Sequence, residues 1–284
     1  MSKKKIAFVT DSTVYLTEEL RAHPDVYVVP IVVISEGKEY EDGVNLSSEE
    51  LYNMIRNQKE VPKTSQPNVG KFIELYEKLK KDYDEAIAIH VSSKLSGTIS
   101  SSTTAKEQAG FHVEAVDSFS LSYAITELLY KGLALVEEDK DAKEIASELQ
   151  EKAKTSRNLI LLGSLDQLYK GGRMSGAQFL LGNLLKIKPI LSIKPNGELD
   201  VFEKVRSEKK ATSKIIAQLK QSSEENKVSH VGIMHGNELE KAKELEKRIK
   251  EEIPGVNTLI GELSSSLAVH AGEGTLAIFW NLEG

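Results

Sequence analysis

Short apolar runs rich in β-branched residues alternate with longer stretches of helical periodicity along the whole chain, and this alternation restricts the fold more than any other feature. In the first half the strand candidates are Ile6-Ala7-Phe8-Val9, Val26 to Ile34, Ala86 to Val91 and Val113 to Val116. Between them, Ser47-Ser48-Glu49-Glu50 reads as a capping box opening a helix that runs through Ile55. Lys71 to Lys80 places Phe72, Leu75, Tyr76 and Leu79 at three- and four-residue spacing, one apolar stripe with charge opposite. Strands apolar on both faces must be covered on both faces. The first half therefore predicts a mostly parallel sheet with helices on each side.

The texture changes at Glu137 to Arg157, which is strongly charged and whose middle reads as an exposed helix. Beyond it come Leu159 to Leu162, Ile190 to Ile193, Leu199 to Val205, Val231 to Met234, Thr258 to Ile260 and Thr275 to Trp280 as strand candidates. Lys194-Pro195-Asn196-Gly197-Glu198 is a tight-turn sequence, so the runs on either side predict an antiparallel hairpin. Helical patterns over Glu208 to Gln221 and Glu238 to Glu252 separate later strands, giving a mixed sheet. The expectation is an α/β protein of two domains. Residues 1–157 form an N-terminal α/β domain with a mostly parallel sheet, and residues 158–284 a C-terminal α/β domain with a mixed sheet.

Composition removes several functions. With 40% hydrophobic residues over 284, the chain can fill a real core and is not globally disordered. Its net charge of -6, from 37 Lys+Arg against 43 Asp+Glu, argues against a nucleic-acid partner held by overall charge. The absence of cysteine removes disulfides, iron–sulfur clusters, thiolate zinc and cysteine nucleophiles. His23, His90, His112, His230, His235 and His270 show no metal-ligand spacing, so no metal or other cofactor is expected. The lysines at 3–5 lead into the apolar run Ile6 to Val9, shorter than the roughly 7–15 residues of a secretory core. No stretch approaches the ~20 apolar residues of a membrane span. A cytoplasmic protein is expected.

Chemistry concentrates in loops at strand ends. Thr10-Asp11-Ser12-Thr13 closes the first strand at the edge where open α/β sheets bind ligands, although Asp11 and Ser12 could equally satisfy the turn. Lys63-Thr64-Ser65-Gln66-Pro67, Ser92-Ser93-Lys94-Leu95-Ser96-Gly97-Thr98 and Asp117-Ser118 repeat the pattern of hydroxyls before helices. Together they suggest a polar pocket for an anion. No phosphate loop or nucleophile elbow is present, and Gly272-Glu273-Gly274 precedes a strand-like run where a dinucleotide fingerprint needs a helix. An Asp117, Ser96 and His270 triad is conceivable only as one of many combinations. His270 stands beside Gly272 and Gly274, and Gly171-Gly172-Arg173 holds a guanidinium on a turn suited to phosphate or carboxylate. After it, Phe179, Leu180, Leu181, Leu184 and Leu185 read as a core helix, or alternatively as the wall of an apolar channel or a transient membrane-surface contact.

Taken in order, Thr10-Asp11-Ser12-Thr13, Thr64-Ser65-Gln66-Pro67, Ser96-Gly97-Thr98, Asp117-Ser118, Gly171-Gly172-Arg173 and His270 with Gly272-Glu273-Gly274 resemble the DegV family of bacterial proteins, from about residue 6 to the C-terminus. The resemblance implies two α/β domains enclosing one long-chain fatty acid. It implies a carrier, not an enzyme in its own right: the lipid-binding subunit of a fatty acid kinase, whose separate ATP-binding subunit phosphorylates the carboxylate for phospholipid synthesis. Carried onto this chain, Thr64, Ser65 and Ser96 with Gly97 and Thr98, together with His270, would hold the carboxylate. Arg173 would lie near the head group or on the face docked by the kinase. Two other readings remain open: an enzyme acting on a small phosphorylated or acyl substrate through Ser96 and His270, and a lipid-sensing regulatory module.

Overall fold

A computed structural model describes residues 4–58, 60–173 and 187–283. Strands β1 (Ile6–Asp11), β2 (Val26–Val29), β6 (Glu85–His90) and β7 (Val113–Asp117) form a parallel sheet in the order β2-β1-β6-β7. Every residue of β1 and β6 is buried, as double-sided covering requires. Ala7 and Val9 face helices α3 (Val69–Leu79) and α4 (Thr98–Ala109) with Phe72, Tyr76 and Ala105. Ile6 and Phe8 face α5 (Tyr123–Glu137) and α6 (Ala142–Ala153) with Leu129, Ile145 and Leu149. The charged segment before residue 157 corrects one expectation. Its helix, α6, is not simply exposed, because its lysines and glutamates flank a stripe of Ile145, Ala146 and Leu149 that is buried in this core.

The second large sheet contains β8 (Ser156–Leu161), β9 (Lys188–Ile193), β10 (Leu199–Val205), β11 (His230–His235), β12 (Asn257–Glu262) and β13 (Leu276–Asn281), in the order β10-β9-β8-β13-β11-β12. Only β11 and β12 pair in parallel; the hairpin of β9 and β10 and the remaining pairs are antiparallel, so the sheet is mixed. Helices α8 (Glu208–Glu225) and α9 (Leu239–Glu252) cover one face, with Ile215, Leu219, Leu245 and Ile249 packed on Leu159, Leu161, Ile278 and Trp280. Residues one step along the same strands, Ile160, Leu162, Ala277 and Phe279, point the other way, as the period of two demands.

The run Val26 to Ile34 is not one strand. Pro30 has no N–H for a ladder, and the chain divides there between β2 and β3 (Val32–Ser35), which joins β4 (Lys38–Glu41) and β5 (Lys63–Ser65) in a separate antiparallel sheet of order β4-β3-β5. Helix α2 (Ser48–Asn57) lies between β4 and β5 in the chain and has both reciprocal bonds of the capping box between Ser47 and Glu50. Val33, Leu51 and Tyr52 of this unit pack against Ala268 and Val269 of α10 (Ser265–Ala271), far along the chain. The remaining described helices are short: α1 (Glu18–Ala22) and α7 (Leu165–Lys170). Among the described residues, no helix is long and apolar enough to cross a membrane.

Candidate functional site

Between the two larger sheets lies a cavity whose empty space, open solvent at its mouth included, is about 870 Å³. Its walls are mostly aliphatic. Val91, Leu95 and Leu121 come from the first half, and Ile160, Leu191 and Phe279 are among those from the second. One part of the wall is polar, where Thr13, Thr64, Ser65, Gln66, Ser96, Ser266 and His270 meet. Residues distant in sequence converge there because β5 and the loop after β6 end beside the last turn of α10.

Thr64 Oγ1 and His270 Nε2 share a hydrogen bond of 2.7 Å across 206 residues of sequence. Burial, reinforced by the charge of Arg173, pushes the His270 pKa down to about 3, so the imidazole is neutral at physiological pH. Its buried Nδ1 has no hydrogen-bond partner among the described residues. Gly171 makes this close packing feasible, since a Cβ there would stand 2.2 Å from Nδ1. Arg173 also lines the cavity, donating from Nη1 to Gly171 O at 2.6 Å and, weakly, from Nε to Leu95 O at 3.5 Å. Burial lowers its pKa from the ordinary arginine value, and no carboxylate among the described residues offsets that effect.

The structure brings Thr64, Ser65, Ser96, Arg173 and His270 to the cavity wall. Gly97 and Thr98 stand behind it. Gly97 is the N-cap residue of α4, where a Cβ would lie 3.1 Å from Gln66 Nε2. Thr98 is fully buried, with its hydroxyl 2.8 Å from Ser96 Oγ. Both thus shape the wall from the rear. Thr13 apart, which lines the wall, the other strand-end loops turn out to be braces. Asp11 Oδ1 accepts from the Thr13 N–H and hydroxyl, while Oδ2 accepts from Val91 N–H and contacts His90 Nδ1. Asp117 accepts from the N–H groups of Ser93 and Phe119. Asp117, Ser96 and His270 form no hydrogen-bonded relay, because each polar group has the other arrangement just described.

Sequence reasoning did not single out Ser266 or the aliphatic wall. Ser266 could have been found from spacing, since it precedes His270 by one helical turn on the same face of α10. Phe179, Leu180, Leu181, Leu184 and Leu185 lie outside the described residues.

The chain matches the profile of the family described as "Uncharacterised protein, DegV family" over residues 5–283. A DegV domain-containing protein of Listeria innocua is 35% identical over 282 residues, covering 99% of each chain. The solved structure of DegV, described as a fatty acid binding protein from Bacillus subtilis, superimposes with a TM-score of 0.89 at 33% identity, covering 99% of this chain and 100% of that one. A DegV family protein of Thermus thermophilus, whose structure is described by its fatty acid binding, gives a TM-score of 0.91 at 28% identity, covering 98% of this chain and 100% of that one.

Proposed function

The chain belongs to the DegV family, and from that membership we propose that it binds one long-chain fatty acid, tail between the two large sheets and carboxylate against Thr64, Ser65, Ser96 and His270. The observation that carries this reading is the cavity itself, an aliphatic chamber with hydroxyls and a neutral imidazole gathered on one part of its wall. Burying roughly 15 methylenes at ~0.8 kcal/mol each gives at most ~12 kcal/mol before ordering costs. Apolar burial therefore supplies the affinity. The polar wall spares the carboxylate the cost of entering without partners. With Nδ1 unpartnered, Nε2 carries the imidazole proton and donates to Thr64 Oγ1, which leaves the Thr64 hydroxyl hydrogen for a carboxylate oxygen. Arg173, half-buried and without a carboxylate partner among the described residues, favours an anionic head group.

The bound acid is then presented to a separate ATP-dependent kinase subunit, in the cytoplasm, for conversion to acyl-phosphate. Hydroxyls tolerate such a product when no base activates them, and an imidazole with a pKa of about 3 is a poor base at neutral pH. That weighs against an enzyme working through Ser96 and His270 alone. Native mass spectrometry of gently purified protein should detect a co-purifying acid of 16–18 carbons. A delipidated sample that fails to bind such acids ends the carrier reading. A delipidated sample that binds them, yet yields no acyl-phosphate with any ATP-dependent partner subunit, leaves a lipid sensor instead.

A further inference from the structure

We infer that Asp42 is a positioning residue for the head-group wall: its carboxylate clamps the small sheet that carries Thr64 to the helix that carries His270. The inference rests on the carrier reading only for the choice of ligand used to measure it.

Asp42 directly follows β4, and its N–H donates to Ile31 O at 3.0 Å. The residue is almost fully buried, and both carboxylate oxygens are engaged. Oδ2 accepts from Ser12 Oγ at 2.8 Å, and that hydroxyl in turn accepts from Ile31 N–H at 2.9 Å. Oδ1 accepts from Ser265 N–H at 3.0 Å, across 223 residues of sequence. The N-cap residue of α10, Ser264, makes no side-chain cap bond of its own. Asp42 supplies that cap from another element, its oxygen accepting from the helix's first N–H; burial pushes its pKa up from the ordinary carboxylate value.

The consequence lies at the other end of α10. Only four helical residues separate Ser265 from His270, so fixing one fixes the other. On the sheet side, Thr64 pairs with Val33 of β3, and β3 pairs with β4, whose last residue precedes Asp42. The 2.7 Å contact of Thr64 with His270 thus spans two bodies joined by apolar packing and a few polar ties. Apolar packing of Val33, Leu51 and Tyr52 on Ala268 and Val269 holds them together without direction. Ser48 Oγ donating to Leu263 O and Ser265 Oγ donating to Leu46 O add weaker ties. Arg56 of α2 also pairs with Glu273 just past α10, at the exposed side, so the Asp42 carboxylate is the buried ionisable tie; its partner Ile31 lines the cavity, as do Thr13 and Ser266 beside Ser12 and Ser265.

The test compares Asp42→Ala and Asp42→Asn with Leu219→Ala, a truncation in the core under α8 on the far face of the large sheet. Palmitate affinity is measured by calorimetry on delipidated protein, and the His270 imidazole is followed by NMR in the ligand-free protein. Asp42→Ala should weaken palmitate at least tenfold and shift the His270 Nε2 resonance. Asp42→Asn should do both to a smaller degree, because its side-chain oxygen still accepts from Ser265 N–H, and it serves as the readout if the alanine variant fails to fold. Leu219→Ala should lower Tm while leaving affinity and imidazole unchanged. Unaltered affinity and imidazole in the Asp42 variants, or equal changes in Leu219→Ala, overturn the inference. Should the wild-type protein bind no palmitate, the carrier reading falls, and the imidazole resonance alone decides the role of Asp42.

Discussion

The His270 imidazole illustrates how one buried group links head-group chemistry to stability. Its pKa in the folded protein is pushed down to about 3 by burial and the nearby guanidinium, whereas an unfolded histidine titrates near 6.5. Between those values the unfolded chain takes up a proton that the folded protein refuses, so stability falls as pH drops below about 6.5 and this loss ends near 3. The slope is roughly 1.4 kcal/mol per pH unit, which amounts to about 2 kcal/mol between pH 7 and pH 5. Thermal unfolding of wild type and His270→Gln at those two pH values isolates the contribution, because all other titrating groups are common to both. The wild type should lose more Tm on acidification than the variant. Parallel losses would mean that His270 accepts a proton in the folded state and that the neutral head-group wall is wrong.

Helices and strands differ in how much of themselves they reveal in sequence. The strands of the parallel sheet were legible because burial on both faces leaves unbroken apolar runs such as Ile6 to Val9. Helix α5 was not, since its buried residues Ala124, Ile125, Leu128 and Leu129 exceed a single stripe and Ser122, its N-cap residue, makes no capping bond. Strand β5, three residues long, is held as a strand by its partner β3 and not by its own sequence pattern. The hydroxyl loops could be read as a polar site from residue type alone. Which of them face a ligand and which brace the fold could not, because Asp11 and Asp117 differ from Thr64 and Ser96 only in their tertiary partners. Helix α5 also meets β11 through a glycine, and a Cβ at Gly232 would lie 2.2 Å from Tyr123 Cγ. Gly232→Ala should therefore push the helix off the strand and cost about 1–3 kcal/mol, seen as a lower urea midpoint. An unchanged midpoint would show that the ring does not rest on that strand.

Across the whole molecule, the large mixed sheet treats its two faces differently although both are aliphatic. Ile190 is packed under α8 and α9, while its neighbour Leu191 faces the cavity. An alternating apolar pattern assigns residues to two faces but not to a packed face and one that lines a cavity; that distinction is set by tertiary partners. An apolar hollow is destabilising in proportion to its volume, by about 24 cal/mol per Å³ where the walls do not relax. A side chain grown into it should thus be tolerated by the empty protein and resented by the ligand. Ala277, buried in the middle of β13 and lining the cavity, is the place to grow one. Ala277→Leu should leave the Tm of delipidated protein unchanged or higher, weaken palmitate at least tenfold, and abolish most of the Tm rise that saturating palmitate gives the wild type through preferential binding to the folded state. Full-strength palmitate binding by this variant would mean that the alkyl chain does not run past β13, and that the space between the sheets is not its berth.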